Sequence, residues 1–128
     1  MLLTHPGSLP PSTRPELVRL APQTIYLLGG TTAVGESVRQ AIQQATGRTV
    51  VRLAGADRYA TAVAISKKFF SAPPSAYLAT GANFPDALSA VPAAGRAASP
   101  LLLVQRDRLP PIVASELLRL HPPRTYLS

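Results

Sequence analysis

Three short stretches hold most of the residues able to bind or react: 29–35 (GGTTAVG), 54–59 (AGADRY) and 80–86 (TGANFPD). The first joins glycines to Thr31 and Thr32 ahead of a helical pattern, where free N–H groups favour an anion. It has neither the G-K-[ST] of a Walker loop nor the spacing of G-x-G-x-x-G. A tight turn capped by Thr31 or Thr32 accounts for the same letters. In the second stretch Asp57 is placed to cap a helix while Arg58 reaches an anion; an Asp–Arg pair that only fixes the loop is the other reading. In the third, Thr80 and Asn83 offer hydrogen bonds, and Asp86 is the expected N-cap of the helix that follows. No two carboxylates are spaced as acid and base, and no His accompanies a Ser in a nucleophile elbow. With no cysteine, thiol catalysis and disulfides are excluded. His5 and His121 do not read as metal ligands, and no cofactor is expected. Tyr59 and Phe84 are the aromatics nearest these loops, whereas Tyr26, Tyr77 and Tyr126 fall in apolar runs and are expected in the core.

The elements that must position these loops alternate along the chain. Residues 25–28 (IYLL), 49–53 (TVVRL), 76–79 (AYLA), 101–104 (LLLV) and 125–127 read as strands. Residue 104 closes a continuous apolar run, the mark of a strand buried on both faces. Between the strands lie helical patterns. Residues 36–45 carry Val38, Ala41, Ile42 and Ala45 on one face and stop at Gly47. Residues 58–70 place Ala62, Ile65, Phe69 and, less regularly, Val63 inward, and Pro73-Pro74 ends the segment. Residues 86–98 form an alanine-rich helix expected to bend or break near Val91-Pro92, and 111–120 a short helix with Pro in its first turn. This order predicts an α/β fold, a Rossmann-like or flavodoxin-like parallel sheet with helices on both faces. In such sheets ligands bind beyond the carboxyl ends of the strands, where the three loops fall.

Residues 3–28 align without gaps on 103–128, with eleven identities in 26 positions that include Leu9-Pro10-Pro11 with Leu109-Pro110-Pro111 and Tyr26-Leu27 with Tyr126-Leu127. The 128 residues are therefore expected to form one unit of about 100 residues plus a duplicated quarter, a pattern expected of a piece of a tandem array. The opening MLLTHPGSLPP has no basic n-region and no adequate apolar core for a signal peptide, and no run approaches a membrane span.

Thirteen Lys and Arg against six Asp and Glu give a formal charge of +7, which suits an anionic partner. Eleven of those thirteen are Arg in an Ala- and Pro-rich chain, so a codon bias explains the charge equally well. The cations are scattered with Lys67-Lys68 the sole doublet, and no nucleic-acid motif is present.

Residues 52–62 (RLAGADRYATA), 78–90 (LATGANFPDALSA), 99–103 (SPLLL) and 25–30 (IYLLGG) strongly resemble the cell wall-binding repeat, type 2 family. The similarity runs from Tyr26 to Leu127 and takes in every motif of the unit. The resemblance implies tandem modules on secreted and surface proteins, three packed about a threefold axis. These modules hold the parent protein to the cell wall by non-covalent binding of an anionic polymer and have no catalysis of their own. A homotrimer is expected where one chain supplies one module. The family's proline-leucine motif maps onto Pro100, Leu101, Leu102 and Leu103. Residues expected at the ligand are Thr31, Thr32, Asp57, Arg58, Tyr59, Thr80, Asn83, Ser99, Pro100, Leu101 and Leu102, with Arg52, Arg106 and Arg108 adding charge. Two other classes stay open at this point. One is a nucleotide- or small-molecule-binding enzyme using 29–35 as a phosphate cradle; the other is a module for self-association alone.

Overall fold

The computed structural model describes the backbone of all 128 residues and every side chain except that of Phe84. The chain divides into two compact units, Met1–Leu53 and Ala54–Ser128.

The first unit contains α1 (Thr13–Leu20), β1 (Ile25–Leu28), α2 (Glu36–Thr46) and β2 (Val50–Leu53). β1 and β2 are parallel, with Ile25 opposite Val50 and Leu28 opposite Leu53. Val38 and Ile42, one turn apart on α2, point at Leu17, Ile25 and Leu27 to make the core. Gly47 ends α2 at φ 66°, a left-handed turn that lets its N–H reach back to the Gln43 carbonyl.

The second unit holds α3 (Arg58–Phe69), β3 (Ser75–Thr80), α4 (Phe84–Arg96), β4 (Leu101–Val104), α5 (Pro111–Leu120) and β5 (Arg124–Leu127). Its sheet runs β4-β3-β5 with both pairings parallel. Val63, Leu102, Val113 and Leu120 form its core, joined by Tyr59, Phe70 and Leu78. The architecture is alternating α/β, with open parallel sheets flanked by helices.

Several local expectations change. The inward face of α3 is Val63 and Ser66, while Phe69 is about half exposed. A buried polar contact explains the rotation: the Ser66 hydroxyl donates to Glu116 of α5, so a serine occupies the position that an apolar pattern gives to its neighbours. In β4 only Leu102 is fully buried and the other three residues are half-buried, because β4 is the edge of its sheet rather than its centre. Asn83, not Asp86, holds the N-cap position of α4; Pro85 starts the helix earlier by presetting its φ, leaving Asp86 in the first turn. α4 runs unbroken through Pro92. Tyr77 and Tyr126 face each other across β3 and β5 with ring centroids 5.0 Å apart, and Tyr126 is partly exposed rather than core.

Candidate functional site at the strand ends

The stretch 54–62 builds its loop from contacts that each need one residue type. A Cβ on Gly55 would lie 2.3 Å from the Cβ of Ala60, so only glycine beside alanine permits the approach. The Gly55 N–H donates to the Thr61 hydroxyl (3.0 Å). Asp57 caps α3 by accepting the Ala60 N–H at 2.8 Å. Arg58 then reaches across to donate from Nη1 to the Gly81 carbonyl. The Tyr59 ring lies under Gly81, where any Cβ would come within 2.8 Å of it. Asp57, Arg58 and Tyr59 thus act together as a brace on the loop after β3.

That loop is also tied to β4: the Gly81 N–H donates to the Val104 carbonyl at 2.8 Å. Thr80 turns its hydroxyl back to accept the Ala82 N–H at 3.2 Å. Beyond the carboxyl ends of the three strands lies an open cleft of ≈ 470 Å³, lined among others by Thr80, Asn83, Asp86, Gln105, Arg106 and Ser128. Two amides, hydroxyls, one guanidinium and one carboxylate therefore face a common space. Arg106 is exposed and, among the described residues, no carboxylate or carbonyl engages its guanidinium. Such a set can hydrogen-bond a hydroxylated chain and neutralise an anion on it. The cleft lining carries no His or Cys. Among the described residues no group of three or more His, Cys, Asp or Glu gathers as a metal site.

The expected ligand residues divide between settings. Thr80 and Asn83 line the cleft. Ser99, Pro100 and Leu102 are buried: Ser99 shares a 2.9 Å hydroxyl contact with Ser75, and the Pro100 carbonyl accepts the Tyr77 N–H. Leu101 and Leu103 are half-buried on the edge strand. Thr31 and Thr32 are exposed in the other unit. There the 29–35 turn is filled from within, since Arg52 Nη1 donates to the carbonyls of Gly29 (2.7 Å) and Val34 (2.8 Å). The second nitrogen, Nη2, is buried without a hydrogen bond, 3.7 Å from Glu36.

Sequence reasoning missed one cluster altogether. Glu116, buried on α5, accepts from Ser66 at 2.7 Å and pairs with Arg119, which also donates to the Phe70 carbonyl at 2.8 Å. Burial alone would raise the Glu116 carboxyl. The hydrogen bonds from Arg119 and Ser66, with the Lys67 charge nearby, outweigh it and hold the group below its ordinary value. The only signal in the letters was Glu116 and Arg119 repeating Glu16 and Arg19.

With this geometry in hand, comparison with known proteins gives consistent results. The family model described as Cell wall binding domain 2 (CWB2) matches residues 52–126. The amidase enhancer of Bacillus subtilis (strain 168) is 30% identical over 110 residues, 86% of this chain and 15% of that protein. The N-acetylmuramoyl-L-alanine amidase LytC of the same organism is 41% identical over 61 residues, 48% of this chain and 12% of that protein. Among solved structures, Cwp6 from Clostridium difficile superposes with a TM-score of 0.90 at 28% identity, over 98% of this chain and 20% of that one. Cwp8 from Clostridium difficile superposes with a TM-score of 0.78 at 24% identity, over 91% of this chain and 20% of that one, a likeness of fold. The chain spans at most a fifth of any of these proteins.

Proposed function

The chain belongs to the Cell wall binding domain 2 family, and from that premise we propose that it anchors a surface protein non-covalently by binding an anionic cell-wall polymer, without catalysis of its own. The family match over residues 52–126 carries this reading. The charge of +7 supports an anionic ligand, and the small share of the two amidase-related proteins that the chain matches supports an accessory binding role. Its location is then the cell surface, at the cell wall, as part of a secreted protein.

Arg106, with Thr80 and Asn83, makes direct contact, while Asp57, Arg58 and Tyr59 hold the loop that presents them. Ser99, Pro100 and Leu102 act from inside, and Leu101 from the edge strand, by fixing β4, and Thr31 and Thr32 offer hydroxyls on the other unit. The parallel strands belong to a Rossmann-like or flavodoxin-like sheet, which accounts for a cleft at their carboxyl ends. The expected assembly is a homotrimer, and a sharp monomer mass by light scattering at tens of micromolar would count against it.

Co-sedimentation with cell-wall sacculi, before and after acid extraction of their secondary polymers, tests the binding. Binding lost with the polymer is the expected result. Equal binding to extracted sacculi would move the ligand to peptidoglycan itself, and no binding to either would end the proposal.

A further inference from the structure

The duplicated segments 3–28 and 103–128 fold alike but meet different neighbours. Each is a helix followed by a strand, and each helix ends on a left-handed residue, Ala21 at φ 44° and His121 at φ 45°. On α5, Val113, Glu116 and Leu120 are buried against neighbours that include Val63 and Ser66 of α3. Their counterparts on α1 are Thr13, Glu16 and Leu20, none of them buried; Thr13 and Leu20 border an apolar cavity of ≈ 570 Å³. The strands show the reverse. Ile25 and Leu27 of β1 are buried with α2 and beside β2, whereas all four residues of β5 are exposed and Leu127 is 77% so. Each copy of the repeat lacks the neighbours that the other one has.

The backbone shows that both sets fit at once. Ile25 and Gly29 direct their N–H groups at β2, to the carbonyls of Thr49 and Leu53. Ser128 directs its N–H at β3, to the Leu78 carbonyl. Ser128 corresponds to Leu28, the residue next to Gly29, and successive N–H groups along a strand point to opposite edges. β2 and β3 therefore use opposite edges of the same repeated strand. One strand can hold both, in the order β4-β3-strand-β2.

We propose that two copies of this chain complete one sheet head to tail. β5 of one copy, already paired with β3, takes the α2–β2 segment of a second copy on its free edge, in place of that copy's own α1–β1. The register follows from the repeat: Thr125 opposite Val50, and Tyr126 opposite Val51. β5 keeps the seat because α5 is pinned by three buried residues and the Ser66–Glu116 contact, while α1 buries only Leu17. The two segments present the same Leu17/Leu117, Tyr26/Tyr126 and Leu27/Leu127 side chains, with Thr125 in place of Ile25, and a head-to-tail contact of this kind either closes a ring or extends. The proposal rests on the homo-oligomer reading above and supplies its contact.

The chain has no cysteine, so single-cysteine variants of the full chain report pairing directly. Val50→Cys and Thr125→Cys chains are mixed in denaturant, refolded together and mildly oxidised, with Arg48→Cys and Thr125→Cys as the out-of-register control. Val51→Cys with Tyr126→Cys repeats the measurement on the other face of the strand, should the first pair fold poorly. In-register mixed disulfides should exceed the control by roughly tenfold or more. Equal yields overturn strand exchange, as does a monomeric internal disulfide in the Val50→Cys/Thr125→Cys double variant. Light scattering of the unmodified chain separates the two failures: a trimer mass without in-register cross-links keeps the homo-oligomer and sinks the exchange, and a monomer mass sinks both.

Discussion

Glu16 and Glu116 hold one position of the repeat and differ in everything around it. Both carboxyls lie below their ordinary value, Glu16 through its hydrogen bond from Arg19 and Glu116 through partners that overcome its burial. Glu116 is buried and Glu16 is on the surface, so their deletion should differ. Glu116→Ala is expected to lower stability by about 2–3 kcal/mol, leaving Ser66 without its acceptor. Glu16→Ala should fall within the error of the same urea titration. The pH dependence follows from the lowered value: the native state releases this proton more readily than the unfolded chain. Its stabilisation is present above the ordinary 4.5 and fades as pH falls through the lower native value. Glu116→Gln should flatten that acid limb, and an unchanged limb would show that other carboxylates govern it. At Gly81 the prediction is steric. Gly81→Ala places a methyl 2.8 Å from the Tyr59 ring and should cost about 1–3 kcal/mol, with a smaller loss when Tyr59→Leu is present.

At the scale of elements, α3 joins the loop brace at its start to the buried cluster along its length. Asp57 is its only described side-chain cap, so Asp57→Ala should destabilise by about 1 kcal/mol and Asp57→Asn by less, read from chemical unfolding. Periodicity located α3 within a residue but misjudged which face turns inward. An apolar template cannot register Ser66, whose burial depends on a carboxylate fifty residues away in sequence. β4 was misjudged for a related reason. Four apolar residues in a row describe a central strand and an edge strand equally well, and only the order β4-β3-β5 distinguishes them.

For the whole molecule, the formal charge of +7 and the cleft should make separable contributions to the proposed polymer binding. Diffuse attraction between the charged chain and a polyanion is screened within about 8 Å at physiological salt, so affinity for sacculi should fall as salt rises. Arg106→Ala removes one charge from the cleft and disturbs no described contact. It should weaken co-sedimentation while leaving the unfolding midpoint within error, whereas Arg58→Ala should alter both, because Arg58 also holds Gly81. Equal losses from Arg106→Ala and from Arg14→Ala, a cation remote from the cleft in sequence, would point to charge alone.

The letters alone determined the element order, the repeat and the family-like loops, since each is written in neighbouring residues: apolar periods of two and 3.6, turn glycines and prolines, and contiguous motifs. They also located the strand-end loops. Tertiary structure decided which contacts those loop residues make. It made Arg58 and Tyr59 a brace, closed the 29–35 turn around Arg52, and put Ser99, Pro100 and Leu102 inside. It also gave the two copies of the repeat different neighbours, though they share eleven of 26 residues. Burial and hydrogen-bond partnership depend on what the rest of the chain brings alongside a residue, and no local pattern encodes that.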